Sequence, residues 1–511
     1  MKASVKVFYN TCALYIKMGI TIVIGLYLTR VVLNELGVED YGIYNLIGGV
    51  IALLSFLQTA LSVSTQRFLS VTMGRQSRDE VKYIFKSSLA IHIVLSLFVV
   101  IILEICSLFI FDGFLNIPID RINAAKDVFQ IMILSTFFTI LQVPYSADIT
   151  ANEDLWFFSI VETFTTFVKL YIIFLFRECT MDKLILYSYW MMFAIILGFI
   201  IKLVWCKKVY DECKGLNILR YTKKKCVKEM IGFTGWNSFG TLSLVGRNQG
   251  VAILLNVFWG PAINAVYGIA NQVNGQLIHF SQIMTSSLAP QIMKSEGEGN
   301  RGRMLFLAVF ASKMAFFLSA VLALPLIVEI DVILGVWLKN VPEYTELYCI
   351  LILLMFLVMQ LYPGLTRAIQ ATGIIKQYQI ITSFFLLLPI PIGYVLYKMG
   401  MHNATILYLM VISQILQMVY AIYYSTSNIG LNAFKCYFYI IKASVCFVGV
   451  GALGYTIRYY LSSLLRDSFT FSIVVSSVVL LFSLLYYIIV LDKKEKESIR
   501  GIVYALLNGK K

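Results

Sequence analysis

Ile93-Val-Leu-Ser-Leu-Phe-Val-Val-Ile-Ile-Leu-Glu-Ile-Cys-Ser-Leu-Phe-Ile-Phe111 holds one charged residue among nineteen. A helix needs about 20 apolar residues to cross the hydrocarbon core of a bilayer. Ser472–Leu491 repeats the pattern near the other end, and similar segments recur between them. The 511 residues are 59% hydrophobic and only 14% charged, with a mean hydropathy of +0.80. A soluble chain of this size could not bury that much apolar surface. The fold class read from this is all-α: a polytopic membrane protein in which the remaining embedded polar residues are the informative ones.

Fourteen transmembrane helices are expected. They lie near 10–33, 41–64, 87–111, 124–143, 155–176, 184–205, 231–254, 262–288, 304–327, 347–362, 378–397, 403–424, 437–460 and 469–490. The basic residues test that count. With a cytoplasmic N-terminus, inner segments carry twenty-seven Lys and Arg and outer loops six: Arg121, Arg177, Lys183, Lys339, Lys398 and Arg466. Positive charge collects on the cytoplasmic side, so both termini are expected there. The formal net charge of +14 is explained by these loops, and nucleic acid is not an expected partner. The N-terminus has no cleavage-site pattern, so the first helix is expected to remain as a span. Nine scattered cysteines without a Cys-x-x-Cys pair, and three histidines far apart, indicate neither a disulfide framework nor a metal site.

The two halves echo each other. Leu33-Asn34 leads through Gly37 to Tyr41-Gly42-Ile43-Tyr44-Asn45, and Leu255-Asn256 leads through Gly260 to Tyr267-Gly268-Ile269-Ala270-Asn271. Further on, Gln142-Val-Pro144 precedes Ile149-Thr-Ala151, and Gln360-Leu-Tyr-Pro363 precedes Ile369-Gln-Ala371, at nearly the same offset. Six spans separate the echoes, so the repeat is parallel, with its pseudo-twofold axis along the membrane normal and substrate expected between the halves. The expected domains are an N-terminal six-helix lobe (1–205), a basic cytoplasmic linker (206–229), a C-terminal six-helix lobe (230–425), and two additional helices with a basic tail (426–511).

At Leu28-Thr-Arg30-Val-Val-Leu33 and Gly37-Val-Glu-Asp-Tyr41-Gly42-Ile-Tyr44 the chain resembles the Wzx-type polysaccharide flippases. These belong to the multidrug/oligosaccharidyl-lipid/polysaccharide exporter superfamily. The resemblance extends over the whole chain in span order and is shared with MurJ-type lipid II flippases and MATE transporters. It implies two lobes around a central cavity, a MATE-like fold. It also implies alternating access that moves a polyprenyl-diphosphate-linked oligosaccharide to the outer leaflet of the bacterial cytoplasmic membrane. Membrane lipids, a coupling ion (proton or sodium) and a polysaccharide polymerase are compatible partners; no cofactor is implied.

A diphosphate headgroup needs cations in a shielded site, because moving it unpaired through hydrocarbon would cost many kcal/mol. The embedded candidates are Lys17, Arg30, Arg247, Lys313 and Lys169. Lys126, Lys202, Lys442 and Arg458 lie closer to span ends and are expected to snorkel. Lys169 follows Glu162 by two turns on one face, so a locally neutralised network is an equally simple reading. Asn264, Asn271 and Asn274, with Gln282, approximate a polar stripe in the eighth span, and Asn45 is its counterpart in the second. Amides there would contact sugar or hold helices together. Glu104, Glu162, Glu329 and Asp331 are the acids available for ion coupling or structural pairing.

Two other classes compete. A MATE-type cation-coupled antiporter relies on embedded acids, yet the first helix here has Lys17 and Arg30 and no acid before Glu35. A membrane glycan enzyme needs a large outer loop or an embedded catalytic histidine or carboxylate; no such loop occurs, and no catalytic residue is assigned.

Overall fold

A computed structural model describes residues 3–52, 55–109, 118–178, 181–215, 222–338, 340–462, 467–497 and 500. Of the charges counted above, Lys2, Arg220, Lys339, Arg466, Lys510 and Lys511 lie outside them. All regular structure in the described residues is helical. The helices are α1 Ala3–Ala52, α2 Ser55–Gly74, α3 Arg78–Phe109, α4 Ile122–Leu141, α5 Val143–Ala151, α6 Leu155–Leu170, α7 Ile172–Glu178, α8 Lys183–Val209 and α9 Lys224–Gly297. They continue with α10 Arg301–Val328, α11 Ile330–Leu338, α12 Thr345–Gln360, α13 Pro363–Thr372, α14 Lys376–Leu387, α15 Pro389–Lys398, α16 Thr405–Ile429, α17 Ala433–Ser462 and α18 Asp467–Ile489.

Eleven of these stretches are long and apolar enough to cross a membrane, twelve if α12 and α13, bent by 44°, form one span. The 74 residues of α9 would extend roughly 110 Å, several times the roughly 30 Å of hydrocarbon. Gly260, with φ 78° and ψ −177°, breaks α9 in two, giving the seventh and eighth expected spans. Gly37, with φ 80° and ψ 171°, breaks α1 at the matching place. Only glycine adopts that backbone readily. Residues 38–52 and α2 then stand where the second span is expected.

Packing follows the reversed logic of a membrane protein. On α3, Ser88, His92 and Ser96 are buried while Val94, Phe98 and Ile101 are exposed. The polar stripe finds partners inside the protein: His92 Nδ1 lies 2.7 Å from the Ser88 carbonyl, and Ser88 Oγ 2.9 Å from Thr65 Oγ1. The apolar face is left for lipid.

The fourth and tenth spans run further than the sequence reading expects. Helix resumes after the break at Gln142 as α5 and after Leu361–Tyr362 as α13. The proline signals do not end the spans: the chain bends by 44° before Pro363 and runs on as one span through Pro144, because proline is tolerated in the first turn of a new helix, where its missing N–H has no intrahelical partner.

By internal contacts the chain forms two compact units, Lys6–Ser238 and Phe239–Lys511 with Met1–Val5, the boundary falling inside α9. In the first, Ile43, Ile47, Val99, Leu103, Val128 and Phe129 form an apolar core. In the second, Val251, Leu255, Tyr267, Tyr348, Ile352 and Met410 do so.

Candidate functional site

In the first unit, α6 presents Phe158 and Glu162 one turn apart. Lys202 Nζ on α8 lies 2.6 Å from Glu162 Oε1 and donates to Gln142 Oε1 at 3.1 Å. Lys17 Nζ on α1 and Lys202 Nζ each stand 5.0 Å from the Phe158 ring centroid. Glu162 is also within electrostatic reach of Lys17 and Lys169. Three ammonium groups against one carboxylate leave this cluster net positive. The expectation that Lys202 snorkels is corrected: it is buried. A lysine two turns from a helix end can turn inward when a carboxylate on the neighbouring helix meets it.

In the second unit, Arg247 on α9 is 5% exposed. Its Nε and Nη2 donate to Asn248 Oδ1 at 3.2 and 3.0 Å. No carboxylate lies within ion-pair distance of it among the described residues. Tyr267 and Tyr362 are its electrostatic neighbours. The Tyr267 hydroxyl is buried beside the Asn271 side chain, and Tyr362 Oη accepts from Gln414 Nε2 at 2.5 Å. On the same half of α9, Asn271 Nδ2 donates to the Tyr267 carbonyl at 2.9 Å, and the buried Asn274 Oδ1 has no partner among the described residues. Asn264 is half-buried and Gln282 exposed, so the amide stripe divides between interior and surface. Buried cations are normally paired. A guanidinium with no carboxylate against it among the described residues, beside the buried Tyr267 hydroxyl, can donate several hydrogen bonds to an anion.

The other candidates are placed differently. Lys313 is 2% exposed and bound by Asp492 Oδ2 at 3.1 Å and Glu495 Oε2 at 2.9 Å, so its charge is neutralised. Arg458, near its span end, pairs with Asp331 Oδ2 at 2.5 Å and Glu329 Oε2 at 3.3 Å. These two acids therefore serve structural pairing. Arg30 is exposed, and Asn45 donates to the Tyr41 carbonyl at 2.9 Å, as Asn271 does to Tyr267.

Sequence reasoning treated 65–86 and 206–229 as inner flanks and not as a site. The structure brings them together around a cavity of about 510 Å³ lined by Arg67, Arg75, Glu80, Tyr83, Lys223 and Lys225, among others. Lys223 Nζ stands 3.7 Å over the Tyr83 ring. The density of Lys and Arg in both segments was the available signal. At the other end of this unit, Arg121 joins Asp40 (Nε to Oδ1, 2.7 Å) to Asp182 (Nη1 to Oδ2, 2.6 Å). The Arg121 hydrogen bonds hold the Asp182 carboxyl below its ordinary range.

No protein-family model and no curated protein sequence matches the chain. Solved structures match it in shape. An outward-facing multidrug resistance MATE family transporter of the MOP superfamily superposes with a TM-score of 0.72 at 14% identity, over 84% of this chain and 96% of its own. A MATE protein in the bent conformation gives 0.71 at 13% identity, over 84% and 98%. A MOP superfamily transporter from Pyrococcus furiosus Vc1 (DSM3638), whose pocket is described as of reverse polarity and suggestive of a different function, gives 0.69 at 14% identity, over 84% and 96%. These likenesses show the fold: the chain has the architecture of the MATE transporters of the MOP superfamily.

Proposed function

We propose that this chain is a multi-pass membrane transporter with an anionic, lipid-linked cargo. The cargo is a polyprenyl-diphosphate-linked oligosaccharide, moved from the cytoplasmic to the outer leaflet by alternating access. The observation that carries the anionic cargo is Arg247, a buried guanidinium with no carboxylate partner among the described residues. A cationic drug would meet repulsion there, whereas a phosphate would supply the missing counter-charge. The net positive cluster at Lys17, Lys169 and Lys202 favours the same sign of cargo, and a MATE fold with a reverse-polarity pocket has a precedent in the Pyrococcus transporter. The charge bias of the loops supports cytoplasmic termini.

The fold likeness supports cation-coupled antiport of small molecules at least as well. Glu162 favours that second reading, since an embedded carboxylate is a group that pairs with a cation.

Deleting the gene and labelling outer-leaflet sugar on spheroplasts separates the two. Labelling lost on deletion, restored by wild type and not by Arg247→Ala at equal protein levels, supports the flippase. Unchanged labelling with unchanged glycan export, together with increased retention of cationic dye, overturns it in favour of the antiporter.

A further inference from the structure

The carboxylate of Asp148 on α5 is fully buried and has no ion-pair partner among the described residues. Two thiols close on it from other parts of the first unit. Cys206 lies in the last turn of α8, and Cys213 ends the short 3₁₀ turn Asp211–Cys213 that follows. Cys213 Sγ is 3.1 Å from Asp148 Oδ2. One ligand atom from each of Asp148, Cys206 and Cys213 lies within 4.8 Å of the others. Asn152 Nδ2 reaches both Asp148 Oδ1, at 3.3 Å, and Glu212 Oε1, at 3.4 Å, so a second carboxylate stands at the edge of the group.

We propose that Asp148, Cys206 and Cys213 form a zinc(II) site, with Glu212 as the fourth ligand. Zinc takes four ligands in a tetrahedron, with about 2.3 Å to sulfur and about 2.1 Å to carboxylate oxygen. Adjacent ligand atoms are then roughly 3.5 Å apart, close to the spacing of the Asp148, Cys206 and Cys213 ligand atoms, which all lie within 4.8 Å of one another. A bound dication takes cysteines as thiolates. Two thiolates and two carboxylates around zinc carry surplus negative charge. Lys86, 3% exposed, donates to the Gly215 carbonyl at 2.6 Å and lies within electrostatic reach of Cys213. Its ammonium offsets part of that surplus. The metal would staple the end of α8 and the first residues of the basic connector to α5. The wide separation of Asp148 from the two cysteines in sequence is why spacing alone did not reveal the group.

The test uses full-length protein purified in detergent without chelators. Elemental analysis is expected to give about one zinc per chain in wild type and in Cys349→Ser, and a loss of at least fivefold in Cys213→Ser and in Asp148→Asn. Cobalt(II) exchange is expected to give a thiolate-to-cobalt charge-transfer band that the Cys206→Ser, Cys213→Ser double variant lacks. If those variants do not fold, wild type in native membranes decides: a maleimide is expected to label Cys206 and Cys213 only after a membrane-permeant chelator is added. Wild type without zinc or a cobalt band, zinc retained by Cys213→Ser, chelator-independent labelling, or a Cys206–Cys213 disulfide found by mass spectrometry would each overturn the proposal.

Discussion

Gly37 and Gly260 hold nearly the same backbone conformation at matching places in the two halves, φ 80° and ψ 171° against φ 78° and ψ −177°. Each ends the first helix of its half and starts the second. An asparagine downstream of each, Asn45 and Asn271, donates to the carbonyl four residues before it at 2.9 Å. The sequence echo is therefore also an echo in structure.

Gly37→Ala and Gly260→Ala each force a side chain into backbone space used almost solely by glycine, at about 1–3 kcal/mol. Both should lower the thermal midpoint of detergent-solubilised protein by similar amounts. Gly19→Ala, in a helical turn with open space around it, should not. If only one of the two kink variants is sensitive, the halves are not equivalent there.

Arg247 separates stability from function. Replacing a buried charge with an apolar group of similar volume is often neutral or stabilising, by about 1–4 kcal/mol. Arg247→Met is expected to melt at or above the wild-type temperature while outer-leaflet glycan labelling is lost. A clear fall in thermal midpoint would mean that Arg247 holds the fold together instead.

Lys313 should behave in the opposite way. Its partner Glu495 is almost fully buried, so Lys313→Ala strands a carboxylate at about 3–5 kcal/mol. Lys313→Met with Glu495→Leu removes both charges and should recover most of the loss. Thermal melts of the two single variants and the double variant give the coupling. A double variant no better than the singles would show that the pair does not act as a unit.

How much of this was legible depended on how local the signal was. Spans such as α3 carry their apolarity within one segment, and glycine or proline marks a break within a few residues, so Gly37, Gly260, Pro144 and Pro363 could be found by reading along the chain. Whether a proline ends a helix or bends it depends on whether apolar packing continues beyond it, which is why α5 and α13 read as loops. The embedded cations were visible as residue types, but their partners were not. Lys313 meets Asp492 and Glu495, Lys202 meets Glu162, and Arg247 meets no acid among the described residues. Those outcomes are set by helix–helix contacts between distant segments, and periodicity carries no information about them.

The Arg121 clamp gives a pH prediction. Asp182 has a folded-state value below its unfolded one because Arg121 donates to it. Its contribution is present above the unfolded carboxylate range and is lost as pH falls through the lower folded value. At neutral pH, Arg121→Ala should cost about 1 kcal/mol or less, as for other partly exposed pairs. The gap from wild type should hold down to about pH 4, the ordinary carboxylate range, and narrow below it. A gap that widens on acidification contradicts the assignment.

Gly364 tests how tightly the second unit is packed. It opens α13 just after the bend at Pro363, and a Cβ built there would lie 1.9 Å from the Ala308 carbonyl oxygen on α10. That obstacle is backbone, so it cannot rotate away; either α13 or α10 must shift. The approach is also held by the Gly364 amide, which donates to Ser312 Oγ, likewise on α10, at 3.0 Å. Gly364→Ala should therefore cost about 1–3 kcal/mol through overpacking, or more if the helices cannot separate. Ser312→Ala removes this hydrogen bond and the one Ser312 Oγ donates to the Ala308 carbonyl at 3.1 Å, and should cost about 0.5–1.5 kcal/mol for the lost pairing. Gly335→Ala, on α11 with nothing within 4 Å of the added carbon, should leave the melting temperature unchanged. Small residues let membrane helices approach closely, so the ranking Gly364→Ala, then Ser312→Ala, then Gly335→Ala follows from contact distance alone. Gly364→Ala melting like wild type would mean that α13 and α10 are not in this contact in the membrane.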